Sequence, residues 1–177
     1  MKRKTEEVEI SVGFDGSLCV ETGDRVFDHL LDTLLFYMDK PGEIRASGDL
    51  RHHLWEDTGI VLGKTLKNEI GENQIARYGT AVIPMDEALV LASVDISRPY
   101  LVTDFNLKEV EAGFEITLVK QFLEALSRSL EATIHLKQLS GCNVHHVIEA
   151  GFKALGKSLA RALQGSDRVE STKGDLR

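Results

Sequence analysis

The feature that most constrains this chain is a motif spelled twice at a fixed interval. His52-His53-Leu54-Trp55-Glu56 and His145-His146-Val147-Ile148-Glu149 share the pattern H-H-x-x-E, and their separation is 145 − 52 = 93 residues. The same shift lays Leu62-Gly63-Lys64-Thr65-Leu66 over Leu155-Gly156-Lys157-Ser158-Leu159 without a gap. Upstream, a shift of 92 lays His29-Leu30-Leu31-Asp32-Thr33-Leu34 over Gln121-Phe122-Leu123-Glu124-Ala125-Leu126. Self-similarity of this kind marks a duplicated structural unit. The chain therefore reads as two halves, 1–93 and 94–177, forming one compact α/β unit with helix, strand, motif and helix in the same order in each.

Residue patterning fills in the elements. Val8–Val12 and Leu18–Thr22 read as a hairpin about the turn dipeptide Asp15-Gly16. Leu30, Leu31, Leu34, Leu35 and Met38 recur at helical spacing within Asp28–Met38, and a second helix runs from about His52 to Ile70 with Gly71 as its cap. Glu43–Ser47, Ile75–Ile83, Leu89–Ile96, Tyr100–Phe105 and Thr133–Leu139 read as strands. Glu115–Leu130 and Val144–Leu163 complete the helices, and no segment has the composition of a linker.

Composition excludes several roles. A 42% hydrophobic content suffices for a proper core, while a formal charge of -7 argues against a nucleic-acid partner, whose phosphates need basic surface. Cys19 and Cys142 stand far apart, outside any C-x-x-C pattern, as reduced thiols would. Met1–Ile10 lacks the apolar stretch of a secretory signal, and no apolar run approaches the roughly 20 residues of a membrane span. A soluble, cytoplasmic protein is expected.

The repeated motif points to metal chemistry. On a helix, His52 and Glu56 lie four residues apart on one face, whereas His53 is turned about 100° away. Adjacent histidines thus serve two metals more naturally than one. His145, His146 and Glu149 repeat the arrangement, and His29, one turn into another helix, is a further ligand. Imidazole with carboxylate and no cysteine suits Mn, Fe, Ni or Zn. Arg77 and Arg98 are bidentate phosphate binders by type, and Ser171-Thr172-Lys173-Gly174 offers hydroxyls, amides and an ammonium to the same kind of group. Glu7 is a candidate general acid or base.

These segments resemble imidazoleglycerol-phosphate dehydratases. The resemblance rests on Phe27-Asp28-His29-Leu30-Leu31-Asp32, His52-His53-Leu54-Trp55-Glu56-Asp57-Thr58-Gly59, Ala76-Arg77-Tyr78-Gly79 and Pro84-Met85-Asp86-Glu87-Ala88-Leu89. Val94-Asp95-Ile96-Ser97-Arg98-Pro99-Tyr100, Asn143-Val144-His145-His146-Val147-Ile148-Glu149-Ala150 and Ser171-Thr172-Lys173-Gly174 extend it over essentially the whole chain. The wording around Arg51-His52-His53 is nearest to the archaeal branch.

The resemblance implies an α/β (α+β) fold, ribosomal-protein-S5-domain-2-like, made by tandem duplication of a sheet-plus-two-helices half with pseudo-twofold symmetry. It implies dehydration of D-erythro-imidazole-glycerol phosphate to imidazole-acetol phosphate in L-histidine biosynthesis, with two Mn2+ per active site. It also implies a large octahedral homo-oligomer whose metal ligands come from neighbouring subunits. Carried over by position, His29, His52, His53, Glu56, His145, His146 and Glu149 match metal ligands, with the first four also facing substrate. Arg77, Arg98, Ser171, Thr172 and Lys173 match phosphate-binding positions, with Lys153 as a lesser one. Glu7 matches a substrate-binding position at the reacting carbons, and a carboxylate, Glu7 or Glu149, is then expected to shuttle protons. The chain departs from the pattern at Gln121, where many members have histidine or glutamate, and at Leu50-Arg51, where the loop is shorter and lacks an acidic pair. Ser97-Arg98-Pro99 is one residue short, and Thr33 and Tyr37 replace a common glutamine and histidine. A catalytically silent metal-binding assembly protein and a binuclear metallohydrolase are the alternative readings.

Overall fold

The structure is a computed structural model describing residues 1–14, 16–108, 110–111 and 113–172, so Asp15 of the expected turn and Lys173-Gly174 of the tail lie outside the described residues. The first half runs β1 (Lys2–Lys4), β2 (Val8–Gly13), β3 (Cys19–Glu21), α1 (Arg25–Tyr37), β4 (Glu43–Gly48) and α2 (Arg51–Ile70). The second runs β5 (Tyr78–Met85), β6 (Ala88–Ile96), β7 (Tyr100–Asp104), a short β8 (Val110–Glu111) and β9 (Phe114–Glu115) pair, α3 (Ile116–Leu130), β10 (Ala132–Ser140) and α4 (Val144–Ala162).

Local chemistry sets these boundaries. Asp24 caps α1 by accepting from the Val26 and Phe27 amides, and Phe27, Leu30, Leu31, Leu34 and Leu35 form its buried stripe. Gly71, with φ +51°, ends α2 in a conformation that favours glycine. In β6 every second residue, Ala88, Val90, Ala92, Val94 and Ile96, is buried, as a strand covered by helices on one face requires.

The duplication is visible in strand order. The sheets run β1-β2-β4-β3 and β5-β6-β10-β7. In both, the first two pairings are antiparallel and the last is parallel. The expected hairpin of Val8–Val12 with Leu18–Thr22 does not form. Instead β4 lies between those segments, antiparallel to β2 and parallel to β3. The turn signal describes a local reversal of the chain. Fully buried Ile44 holds β4 at the centre of the sheet, where it needs a partner on each side. The interval of 93 measures the shift between copies, and residue 93 itself falls inside β6, whereas the second sheet opens at Tyr78.

Helices pair across the halves: α2 packs on α3, and α1 on α4. Glycine permits both contacts. A Cβ at Gly63 would meet Leu126 O and Leu130 N of α3 at 2.9 Å, and one at Gly156 would meet Leu34 O and Met38 N of α1 at 2.8 and 3.0 Å. Those contacts are copies of one another, since 34 + 92 = 126, 38 + 92 = 130 and 63 + 93 = 156. Residues from both sheets and all four helices join one hydrophobic cluster, in which Phe27 stacks on Trp55 at 4.0 Å and meets Phe122 edge-on at 5.4 Å.

Alanine is a better helix former than glycine by about 1 kcal/mol, but here its methyl would strike backbone that cannot rotate away. Forced repacking costs typically 1–3 kcal/mol, so Gly63→Ala and Gly156→Ala should each destabilise the protein by about 1–2 kcal/mol. Urea unfolding midpoints test this, and an increase in either midpoint would contradict the close crossing.

Candidate active site

The cross-packed helices bring residues of the two halves together. His29 on α1 and His145 on α4 aim their Nε2 atoms at Glu149 Oε2, at 2.8 and 2.7 Å. His145 and Glu149 share a face because they lie one turn apart, and Asn143 fixes the start of α4 by accepting from the His146 amide. Lys153, one turn further on, donates to Glu149 Oε1 at 2.9 Å, and the Phe114 ring lies over His145 with centroids 4.9 Å apart. Burial would raise the Glu149 carboxyl, but hydrogen bonds from His29, Lys153 and His145 outweigh it and hold its pKa at about 2.

Two imidazole nitrogens and a carboxylate oxygen within 4.8 Å of one another are a ligand set for a divalent ion. Among the described residues they form the one such group. The donor set fits a borderline or hard cation, and three protein ligands leave positions for substrate or further ligands.

The second histidine of each pair turns elsewhere. His53 Nδ1 lies 2.7 Å from Asp49 Oδ1, and His146 Nδ1 lies 2.7 Å from Glu87 Oε2. A carboxylate at Nδ1 fixes each ring, and His146 Nε2 lies a further 3.6 Å from Asp86 Oδ2. The Asp49 hydrogen bond raises the His53 pKa, with the charges of Asp49, Glu7 and Asp57 adding to it, and Glu87 does the same for His146. Glu87 is itself held at about 2 by His146 and by the Asn143 and Cys142 amides.

The residues expected to bind phosphate fall into separate places. Arg77 makes a bidentate pair with Asp95, at 2.7 and 3.1 Å, and donates to the Glu170 carbonyl at 2.8 Å, which puts it beside Ser171. Arg98 is exposed in the turn between β6 and β7, Thr172 is exposed at the end of the described chain, and Lys173 is outside it. The Arg77 amide bonds to Ala162 at the far end of α4. Thirteen residues of helix separate Ala162 from Glu149, roughly 20 Å at 1.5 Å per residue. Lys153 alone of the phosphate candidates sits in the histidine cluster.

Comparison with known proteins decides the family. The family model described as imidazoleglycerol-phosphate dehydratase matches residues 22–159. The imidazoleglycerol-phosphate dehydratase of Pyrococcus furiosus is 51% identical over 177 residues, covering 99% of this chain and 100% of that one. That of Acetivibrio thermocellus is 45% identical over 193 residues, covering 99% and 97%. This chain is an imidazoleglycerol-phosphate dehydratase family member. A crystal structure of the Pyrococcus furiosus protein superposes with a TM-score of 0.94 over 98% of this chain and 99% of that one, at 51% identity. The Staphylococcus aureus protein superposes at 0.83 over 93% and 98%, at 35% identity. The archaeal flavour of the sequence agrees with the Pyrococcus match, and the α+β duplicated fold matches these structures. A dehydratase of this family is a hydro-lyase of histidine biosynthesis, and no helix among the described residues is long and apolar enough to cross a membrane.

Within this dehydratase the sequence does not reveal Asp49, Glu87 and Phe114 as partners of the motif histidines. Asp49 stands three residues before His52 and orients His53, the place where the shortened loop suggests that acidic support is missing. Glu87 comes from the turn between β5 and β6, 59 residues from His146 in sequence, so no periodicity could pair them.

Asp24 ties α2 into this framework. Besides capping α1, it accepts from Trp55 Nε1 at 3.1 Å and from Arg51 Nε at 2.9 Å. Burial opposes its charge, yet Trp55, Arg51 and the Phe27 amide keep its carboxyl below the ordinary aspartate range. A lowered folded pKa contributes stability that is full above the unfolded value near 3.9 and is lost as pH falls through the folded one. Asp24→Asn should therefore cost about 1–2 kcal/mol at pH 7, with the gap from wild type closing towards pH 2. Urea unfolding across pH 2–7 checks this; a gap independent of pH would show that the carboxylate charge contributes nothing.

Proposed function

We propose that this protein dehydrates D-erythro-imidazole-glycerol phosphate to imidazole-acetol phosphate with divalent metal ions, manganese by family resemblance, at sites shared between copies of the chain. The observation that carries the reading is the convergence of His29, His145 and Glu149 from two halves. These residues would hold one ion, with His52 and Glu56 at the duplicate position holding a second. His53 and His146, each held by a carboxylate at Nδ1, would complete sites on neighbouring copies. When bound, the metal supplies Lewis-acid stabilisation of the substrate's imidazole ring.

The chain's own residues divide the remaining work. Glu149, on which the His29 and His145 Nε2 atoms converge, serves as a ligand. Glu7, exposed on the approach to β2 and electrostatically felt by His53, then takes the proton from carbon and returns one to the departing hydroxide. Arg77, Arg98, Ser171, Thr172 and Lys173 would bind the phosphate, with Lys153 nearer the ring, so that remote binding energy orients the reacting carbons. Asp95 presents the Arg77 guanidinium by its bidentate pair. Arg77 is tied to Ala162, roughly 20 Å of helix from Glu149, so a small substrate would reach both only if different copies supplied the two parts. Such an assembly fits the octahedral arrangement that the family resemblance implies, and a location in the cytoplasm fits a biosynthetic enzyme.

His53→Ala and His146→Ala should each lower kcat/KM for imidazoleglycerol phosphate by more than about 100-fold, beyond the 10- to 100-fold usual for outer partners of a metal site. Chelation should abolish activity and shift the protein to smaller species on sizing chromatography, since metal binding shared between copies contributes to assembly by linkage. Full activity in either variant with metal content unchanged, or undiminished turnover after verified metal removal, would overturn the assignment.

A further inference from the structure

The two copies of the metal-binding half are equivalent in backbone and unequal in side chains. His29 lies five residues before Leu34, where α1 meets Gly156, and Gln121 lies five before Leu126, where α3 meets Gly63. His145 and His52 each precede their crossing glycine by eleven residues, and Glu149 and Glu56 each by seven. The identical register places Gln121 towards His52 and Glu56 as His29 stands towards His145 and Glu149. Where one position gathers two imidazoles and a carboxylate, its duplicate has an imidazole, a carboxylate and a neutral carboxamide. The described residues accordingly hold one group of three convergent ligands, and its carboxylate is buried while Glu56 is exposed.

We propose that Gln121 makes the metal position beside His52 and Glu56 the weaker of the two, so that this protein loads its metals in two resolved steps. The inference rests on the reading that both positions hold metal. A carboxamide oxygen is uncharged and much less basic than an imidazole nitrogen, so an ion there gives up binding energy or fills the place with water. One feature of the stronger position acts the other way: the Lys153 ammonium, whose counterpart is Ile60, repels a cation. It engages Glu149 Oε1, however, and leaves Oε2 to the histidines, as an outer partner of a ligating carboxylate does. Loss of a direct ligand outweighs that outer charge. The tighter position therefore orders its ion first, while the weaker one fills only at higher metal concentration and favours a hard, oxygen-tolerant ion such as Mn2+.

The test is equilibrium dialysis of the intact, chelator-stripped protein against Mn2+, with bound metal quantified per chain. Wild type should show two classes of site differing by at least about 10-fold in affinity. Gln121→His should tighten the weaker class by at least about 10-fold and leave the other, and His29→Gln should weaken the tighter class instead. Both residues are exposed on helices, so neither change disturbs the core. Two equal sites in wild type, or a Gln121→His protein with both classes unmoved, overturns the inference alone. A wild-type protein that binds no Mn2+ overturns the metal reading and the inference with it.

Discussion

The packing of helices across the two halves is the constraint on which the rest of this molecule depends. Each half could cover its sheet with its own two helices, but those helices present a second apolar face. They bury it against the other half, α2 on α3 and α4 on α1, in one continuous core. Gly63 and Gly156 set the depth of both crossings, because no side chain fits where the helix backbones approach. Neither half is complete alone, which explains why the duplication is fused in one compact chain.

Chemistry inherits that geometry. His29 comes from the first half and His145 with Glu149 from the second, so the ligand cluster exists only when α1 is docked on α4. Carboxylates one step further out, Asp49 and Glu87, orient the remaining motif histidines away from the cluster. The Arg77, Asp95 and Glu170 contacts gather at the far end of α4.

Much of this was legible in the residues. Helix periodicity places α1, α3 and α4 within a few residues because each carries an amphipathic stripe, and the histidine motif with Gly71 brackets α2. The motif interval exposed the duplication before any strand was placed. Strand partners were not legible: the turn signal near Gly16 suggests a hairpin, while the true neighbour of both segments is β4, some 30 residues on. β1, spelled Lys-Arg-Lys, carries no apolar alternation, and its pairing to β2 is known only from the fold. Seven candidate histidine and glutamate ligands are named from sequence, but not which of them meet, since His29 and Glu149 are 120 residues apart. Arg77 reads from sequence as an anion binder, whereas its guanidinium is held by Asp95, which the β5–β6 hairpin brings alongside it.

The junction of the halves is where a metal ion would sit. Diffraction from crystals grown with Mn2+, measured on both sides of the manganese absorption edge, locates the ion directly. An anomalous peak about 2.2 Å from His29 Nε2, His145 Nε2 and a Glu149 oxygen is the predicted result. Strong manganese peaks elsewhere, with none between these three residues, would contradict it.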